Sequence, residues 1–246
     1  MRFIQHYSGS KGNLYEIVND AGRRLLIDPG VRFSMVLKAL KYDLSNIAGC
    51  FCSHLHSDHC KSIHDVACCA GIDVYGSLET LDSCGLDGNR RANHIADKTL
   101  VCLNGFQVYA FETHHDCEGS LGFCILSDGE YLLFATDTSH ISQRFTYPFS
   151  IIAIEASYDK DTLTARVESG DCNETLAKRL LTSHMERSET LRYIKQFCNL
   201  EKCREINLLH LSGENQIEAS ELIEQFEKEL YITTRTVDDC SHISNS

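Results

Sequence analysis

Ser53-His54-Leu55-His56-Ser57-Asp58-His59 follows directly on a β-prone run, Gly49–Ser53. His54, His56, Asp58 and His59 place four metal-capable side chains on one strand exit. On such a loop, side chains two apart can point at one ion while the next pair turns to a second. A lone His-x-His says little, because exposed histidines are common. His-x-His-x-Asp-His after a strand predicts a metal-binding loop.

To its N-terminal side, Arg2–Tyr7, Leu14–Val18 and Arg24–Ile27 are short β-prone runs, and the last ends at Asp28-Pro29-Gly30. Phe33, Val36, Leu37 and Leu40 recur at helical spacing over 33–40. To its C-terminal side, 63–70 reads as a helix, and strands are predicted near Val74-Tyr75 and over 100–103 and 107–112. Asp128-Gly129 lies between the β-prone runs 121–126 and 131–135 and signals a hairpin. A buried strand is expected over 151–155 and helices over 175–181 and 188–197. A strand over 206–211 and an amphipathic helix over 217–230 complete the pattern. Strands and helices interleave without a Pro- or Gly/Ser-rich linker, which predicts a layered α/β protein with mixed sheets. The expected organisation is one domain over 1–237 and a polar tail over 238–246.

The 246 residues are 43% hydrophobic and 24% charged, which excludes wholesale disorder. No apolar run approaches the roughly 20 residues that span a bilayer, and the opening residues lack the apolar core of a leader. A cytoplasmic protein with no membrane partner is expected. Thirteen cysteines, an odd number, argue against a disulfide framework, and their spacings are not those of zinc fingers. They read as buried small hydrophobes and free thiols. The net charge is −12 and the basic residues are scattered, so no basic stripe for nucleic acid is visible.

His54-x-His56-x-Asp58-His59 resembles the signature of the metallo-β-lactamase-fold hydrolases. Further segments match that family in order: Asp28 at the end of an early strand, His114-His115-Asp116 after a middle one, Asp137 after Leu132–Thr136, and His210 after Leu208-Leu209. Ser8-Gly9-Ser10-Lys11-Gly12-Asn13, Ile154–Asp159, Ser183-His184-Met185 and His210–Asn215 are similar to segments of the YycJ/WalJ-like group. That group is associated with nuclease activity and is related to tRNase Z and to cyclic-nucleotide phosphodiesterases. Cys60 and Ser62-Ile63 depart from the family pattern, a change expected to alter packing behind the loop and not ligation.

The resemblance implies a four-layer αββα sandwich with two mixed sheets. It implies two divalent ions per chain, Zn2+ first, with Mn2+ or Fe as alternatives. His54, His56 and His115 would hold one ion; Asp58, His59 and His210 would hold the other; Asp137 would bridge them. The spacing from His115 to Gly122-Phe123 favours His115 over His114. Asp58 and His184 are the expected catalytic residues, with His184 giving a proton to the leaving oxygen. Asp28 is expected to orient the His54–His59 loop. A water between two ions would lose its proton near neutral pH and attack a phosphodiester. The expected function is a dinuclear phosphodiesterase of the nuclease type, a YycJ-like DNA exonuclease. The alternatives are a cyclic-nucleotide phosphodiesterase that degrades nucleotide immune signals and a metal-stabilised scaffold without activity. Expected partners are a nucleic acid or cyclic nucleotide, and a homodimer is left open.

Overall fold

A computed structural model describes residues 1–212 and 214–237; the expected tail, 238–246, lies outside the described residues. The chain divides into two compact units. One comprises Met1–Glu112 and Cys117–Glu130; the other comprises Thr113–Asp116 and the chain from Tyr131 on.

The first unit contains β1 (Arg2–Tyr7), β2 (Leu14–Val18), β3 (Arg24–Ile27), α1 (Phe33–Ala39), β4 (Ile47–Phe51), α2 (Ser57–Cys60), α3 (Ile63–Cys68), β5 (Val74–Gly76), α4 (Leu78–Ser83), β6 (Ala92–His94), β7 (Leu100–Leu103), β8 (Phe106–Glu112) and β9 (Leu121–Ser127). Strands β1 to β6 form a mixed sheet in sequence order. Its first three strands are antiparallel, and β3 to β6 are parallel. The two-residue period of a strand assigns the two faces. Leu26, Cys50 and Val74 align across neighbouring strands. They pack with Val36 of α1 and Leu40 just after it, Ile63 and Val66 of α3, and Leu81 of α4. Ile27, Phe51 and Tyr75 align on the opposite face. There Phe51 stacks on Tyr75 at 4.7 Å and meets Phe123 of β9 edge-on at 5.3 Å. One face of the sheet therefore carries helices and the other carries the antiparallel strands β7, β8 and β9. The Asp128-Gly129 turn after β9 has φ of 55° and 74°, as a type I′ turn requires.

The second unit contains β10 (Glu130–Ala135, shared at its first residue), β11 (Phe149–Glu155), α5 (Lys160–Ser169), α6 (Glu174–Ser183), α7 (Arg187–Phe197), β12 (Glu205–Leu209), α8 (Ala219–Leu230) and β13 (Thr233–Arg235). Its strands are all parallel in the order β10-β11-β12-β13. Strand β11 is buried along its whole length, which is why Phe149–Glu155 reads as a continuous apolar run and not an alternating one. Helix α7 lies against β11 and buries Leu191 and Ile194; α8 lies against β13 and buries Leu222 and Phe226.

Sequence periodicity missed α5, whose composition is largely polar. Its ends carry the signal instead: Asp159 accepts from the Thr162 N–H at 2.8 Å, and Gly170 closes the helix at φ 82°. Of the thirteen cysteines, twelve are described and no disulfide joins them to one another; Cys240 lies outside the described residues. Cys60 joins the core behind α2, and its thiol donates to the Leu55 carbonyl at 3.0 Å. Ser62 bonds the Val31 carbonyl. No described helix is long and apolar enough to cross a membrane.

Gly30 fixes how closely the β3 exit approaches α2. A Cβ at this position would lie 1.6 Å from the Asp58 carbonyl oxygen, which is backbone and cannot rotate away. Overpacking a core commonly costs about 1–3 kcal/mol, and a backbone clash belongs at the upper end. Gly30→Ala is expected to lower the thermal midpoint by several degrees and to weaken metal retention by the adjacent loop. Scanning calorimetry with elemental analysis checks both.

Candidate metal centre

In the first unit, the exits of β3 and β4 converge on one buried carboxylate. Asp28 follows β3 with φ 53°, a left-handed conformation uncommon outside glycine. It is fully buried. Its Oδ1 accepts from the Ser53 N–H at 2.7 Å, and its Oδ2 accepts from Ser53 Oγ and from His59 Nδ1, each at 2.8 Å. His54 Nδ1 donates to Ser53 Oγ at 2.9 Å. The outer nitrogens of His54 and His59 are thus engaged, which fixes the rings and turns their Nε2 atoms towards the other loop side chains. His54 Nε2 lies 3.1 Å from His56 Nδ1, and His59 Nε2 lies 3.0 Å from the Asn13 amide nitrogen and 3.5 Å from Asp58 Oδ2.

Those separations are hydrogen-bond distances that also lie near the spacing of ligands around one ion. Ligands about 2.0–2.1 Å from a tetrahedral ion stand about 3.3–3.4 Å from one another. Asn13 supports the same loop: its amide donates to the Asp58 carbonyl at 3.0 Å, and the Tyr15 hydroxyl donates to its Oδ1 at 2.9 Å. Cys117 was not singled out from sequence as a ligand. Its thiol lies within 4.8 Å of ligand atoms of His54 and His56.

In the second unit, Asp137 follows β10 and His210 follows β12, again in left-handed conformations, with φ of 43° and 50°. Non-glycine residues are held there at a cost, and such positions concentrate at functional sites. Asp137 Oδ1 lies 3.5 Å from His210 Nδ1, and its Oδ2 lies 3.8 Å from His115 Nε2. One carboxylate therefore offers a different oxygen to each of two imidazoles. His115 Nδ1 donates to the Ser183 carbonyl at 2.8 Å, and its Nε2 lies 3.1 Å from Asp116 Oδ1 and 3.8 Å from Asp137 Oδ2. Burial lowers the His115 pKa, favouring the neutral imidazole that binds metals.

His114 does not share this position. Its ring stacks on His140 and its Nε2 bonds Ser142 Oγ at 2.9 Å.

Glu155 is the residue that sequence reasoning left without a role. It ends β11, is fully buried, and accepts from His184 Nδ1 at 3.1 Å and from the Thr138 N–H. Burial raises its pKa. Burial works against charge on His184, but the Glu155 charge and hydrogen bond outweigh it and raise that pKa to about 9. His184 stacks on His210 at 5.2 Å, and Asp137, Glu155, His184 and His210 offer ligand atoms within 4.8 Å of one another. The signal was available in the sequence: a lone acidic residue at the end of the run Phe149–Glu155.

A family model described as a beta-lactamase superfamily domain matches residues 23–203. The exodeoxyribonuclease WalJ of Streptococcus pneumoniae is 24% identical over 231 residues, covering 85% of this chain and 81% of that protein. The metallo-beta-lactamase fold protein YhfI from Bacillus subtilis is similar with a TM-score of 0.70 at 16% identity, covering 95% of each chain. The short form of human tRNase Z is similar with a TM-score of 0.61 at 15% identity, covering 89% of this chain and 96% of that one. At these identities the structural likeness establishes the fold, and it is the mixed two-sheet fold expected from the sequence.

Replacing Asp28 tests the construction of the loop. Asp28→Ala leaves three buried donors, two on Ser53 and one on His59, without their acceptor. A buried donor left unsatisfied costs roughly 1–3 kcal/mol, and loss of a group that orients a metal ligand typically lowers metal affinity about 10–100-fold. Both effects are expected in Asp28→Ala, read by chemical denaturation and by competition with a chromogenic chelator.

Proposed function

The chain belongs to the beta-lactamase superfamily, and from that premise we propose that it is a metal-dependent phosphodiesterase of the nuclease type, acting on DNA from an end. The observation that carries this reading is the Asp137 carboxylate, with one oxygen towards His115 and the other towards His210. That is the disposition a carboxylate needs to join two ions. The proposed ligands are His54, His56 and His115 for one ion and Asp58, His59 and His210 for the other, with Asp137 common to both. Zn2+ suits these nitrogen and carboxylate donors, and Mn2+ or Fe are the alternatives. When bound, such ions would polarise a phosphoryl oxygen and lower the pKa of water in the site.

The chain's own side chains supply the rest. Asp58 is proposed both as a ligand and as the carboxylate that orients the attacking water. Glu155 holds His184 by Nδ1, which keeps its other nitrogen available to protonate the leaving oxygen. The likeness to exodeoxyribonuclease WalJ supports DNA as substrate. The family match runs through both units, which supports reading 1–237 as one domain. The absence of a disulfide among the twelve described cysteines accords with a reducing, cytoplasmic setting.

A cyclic nucleotide is the second reading. It is favoured by the net charge of −12 and the absence of a basic stripe in the sequence. A panel of single- and double-stranded DNA, RNA and 3′,5′-cyclic mononucleotides with added Zn2+ or Mn2+ separates the two. A chain that hydrolyses none of them, nor bis-p-nitrophenyl phosphate, would instead be a scaffold.

Two measurements test the mechanism. Protein purified without chelator should carry close to two metal ions per chain by elemental analysis, and Asp137→Ala should lose both. A folded chain that takes up no metal from Zn2+ or Mn2+ sinks the proposal. For the proton donor, His184→Ala is expected to retain its metal. It should lose on the order of 10²–10⁴-fold in kcat on a natural phosphodiester, whose alkoxide needs a proton. The loss on a p-nitrophenyl ester should be far smaller, because p-nitrophenolate leaves unaided. Equal losses on both substrates would assign His184 a binding or structural role.

A further inference from the structure

His114 and His140 form a feature that the proposed chemistry does not use. Their rings lie parallel, with centroids 3.8 Å apart and an interplanar angle of 6°. They stand on the two segments of the second unit that carry His115 and Asp137. These segments are laced together by the backbone. The His114 N–H donates to Thr138 Oγ1 at 2.9 Å, and the Ser139 N–H donates to the His114 carbonyl at 2.8 Å. Thr138 Oγ1 in turn donates to the His140 carbonyl at 2.6 Å. Each ring is also fixed in its own plane, His114 by Ser142 Oγ at 2.9 Å and His140 by Ser139 Oγ at 3.2 Å.

In-plane hydrogen bonds orient a ring while leaving its π-face open. The inner face of His140 is covered by half-buried His114, and His140 itself is exposed. Among the described residues, no other ring stacks on it. An exposed, pre-oriented aromatic face beside a phosphate-directed site has the form of a base-stacking platform, because every nucleobase has a π-face and aromatic side chains bind it without reading its sequence. A histidine pair kept for core packing would be buried. A pair kept for coordination would aim its nitrogens at a common point and not lie ring over ring.

We propose that the exposed face of His140, backed by His114, stacks the nucleobase of the nucleotide whose phosphate is bound beside Asp137 and His115. This deepens the phosphodiesterase reading and rests on it for the placement of the phosphate. It assigns a specificity-determining role to His140: the platform selects nucleotides over other phosphate esters while tolerating all bases.

The test is a binding measurement, independent of turnover. Metal-loaded protein is titrated calorimetrically with 2′-deoxyadenosine 5′-monophosphate and with 2-deoxyribose 5-phosphate, which share a sugar phosphate and differ by the base. Wild type is expected to prefer the nucleotide by roughly 5- to 150-fold, the range that one base–aromatic stack supplies. His140→Ala should remove that preference without changing metal content or affinity for the sugar phosphate. His140→Phe, which keeps a flat face and loses the ring nitrogens, should retain it. Equal binding of the two ligands by wild type overturns the proposal, as does a full preference surviving in His140→Ala. Failure of His140→Phe to retain the preference would also overturn it, because the ring nitrogens and not the face would then be the contact. If wild type prefers the nucleotide yet cleaves no phosphodiester, the catalytic reading fails and the platform stands.

Discussion

The carboxylate of Asp28 is the point on which the histidine loop is built. Fully buried, it collects a backbone N–H, a hydroxyl and an imidazole N–H from two residues six positions apart. A buried carboxylate without such partners would be prohibitively costly. With them, it locks Ser53 and His59 to the end of β3, and through Ser53 it orients His54. The left-handed backbone at Asp28 places the side chain under the loop, and Gly30 then lets the chain pass against the Asp58 carbonyl without a Cβ. Local strain, a glycine contact and a three-way hydrogen-bond hub together form one device. Its product is a pair of imidazoles, His54 and His59, held in fixed orientations.

Much of this was legible in the sequence because the decisive residues are polar groups at strand exits. The His54–His59 cluster is readable by itself, whereas Asp28, Asp137 and His210 stand out only when their strand exits are set against the family pattern that the cluster resembles. The helices followed where an apolar face recurred, as in Val36 of α1 with Leu40 at its end, or Leu222 and Phe226 of α8. Helix α5 escaped because little of it is apolar, and its existence rests on end caps that periodicity does not detect. Glu155 escaped for a different reason. Its importance lies in what surrounds it: complete burial and a partner 29 residues away. Neither property has a local signature. The choice between His114 and His115 likewise depends on which ring nitrogen has a backbone acceptor, here the Ser183 carbonyl, and that is a fact of tertiary structure.

The second unit poses an electrostatic problem whose solution bears on function. Asp137, Glu155, His184 and His210 are all buried within a few ångströms of one another. Burying carboxylates demands compensating positive charge. For Glu155 the protein supplies a hydrogen-bonded imidazole: the carboxylate raises the His184 pKa to about 9. Asp137 is treated differently. It lies near His115 and His210, and burial lowers the His115 pKa, which favours the uncharged ring. Under the proposed phosphodiesterase reading, the two carboxylates would meet two kinds of counter-charge, a proton on His184 and metal charge beside Asp137. The charge beside Asp137 would then be fixed, whereas the charge on His184 would be a proton free to leave with the departing oxygen. Glu155 then has a reason to be buried. A solvated carboxylate would hold the histidine less firmly and would let water compete for the proton that the leaving group needs.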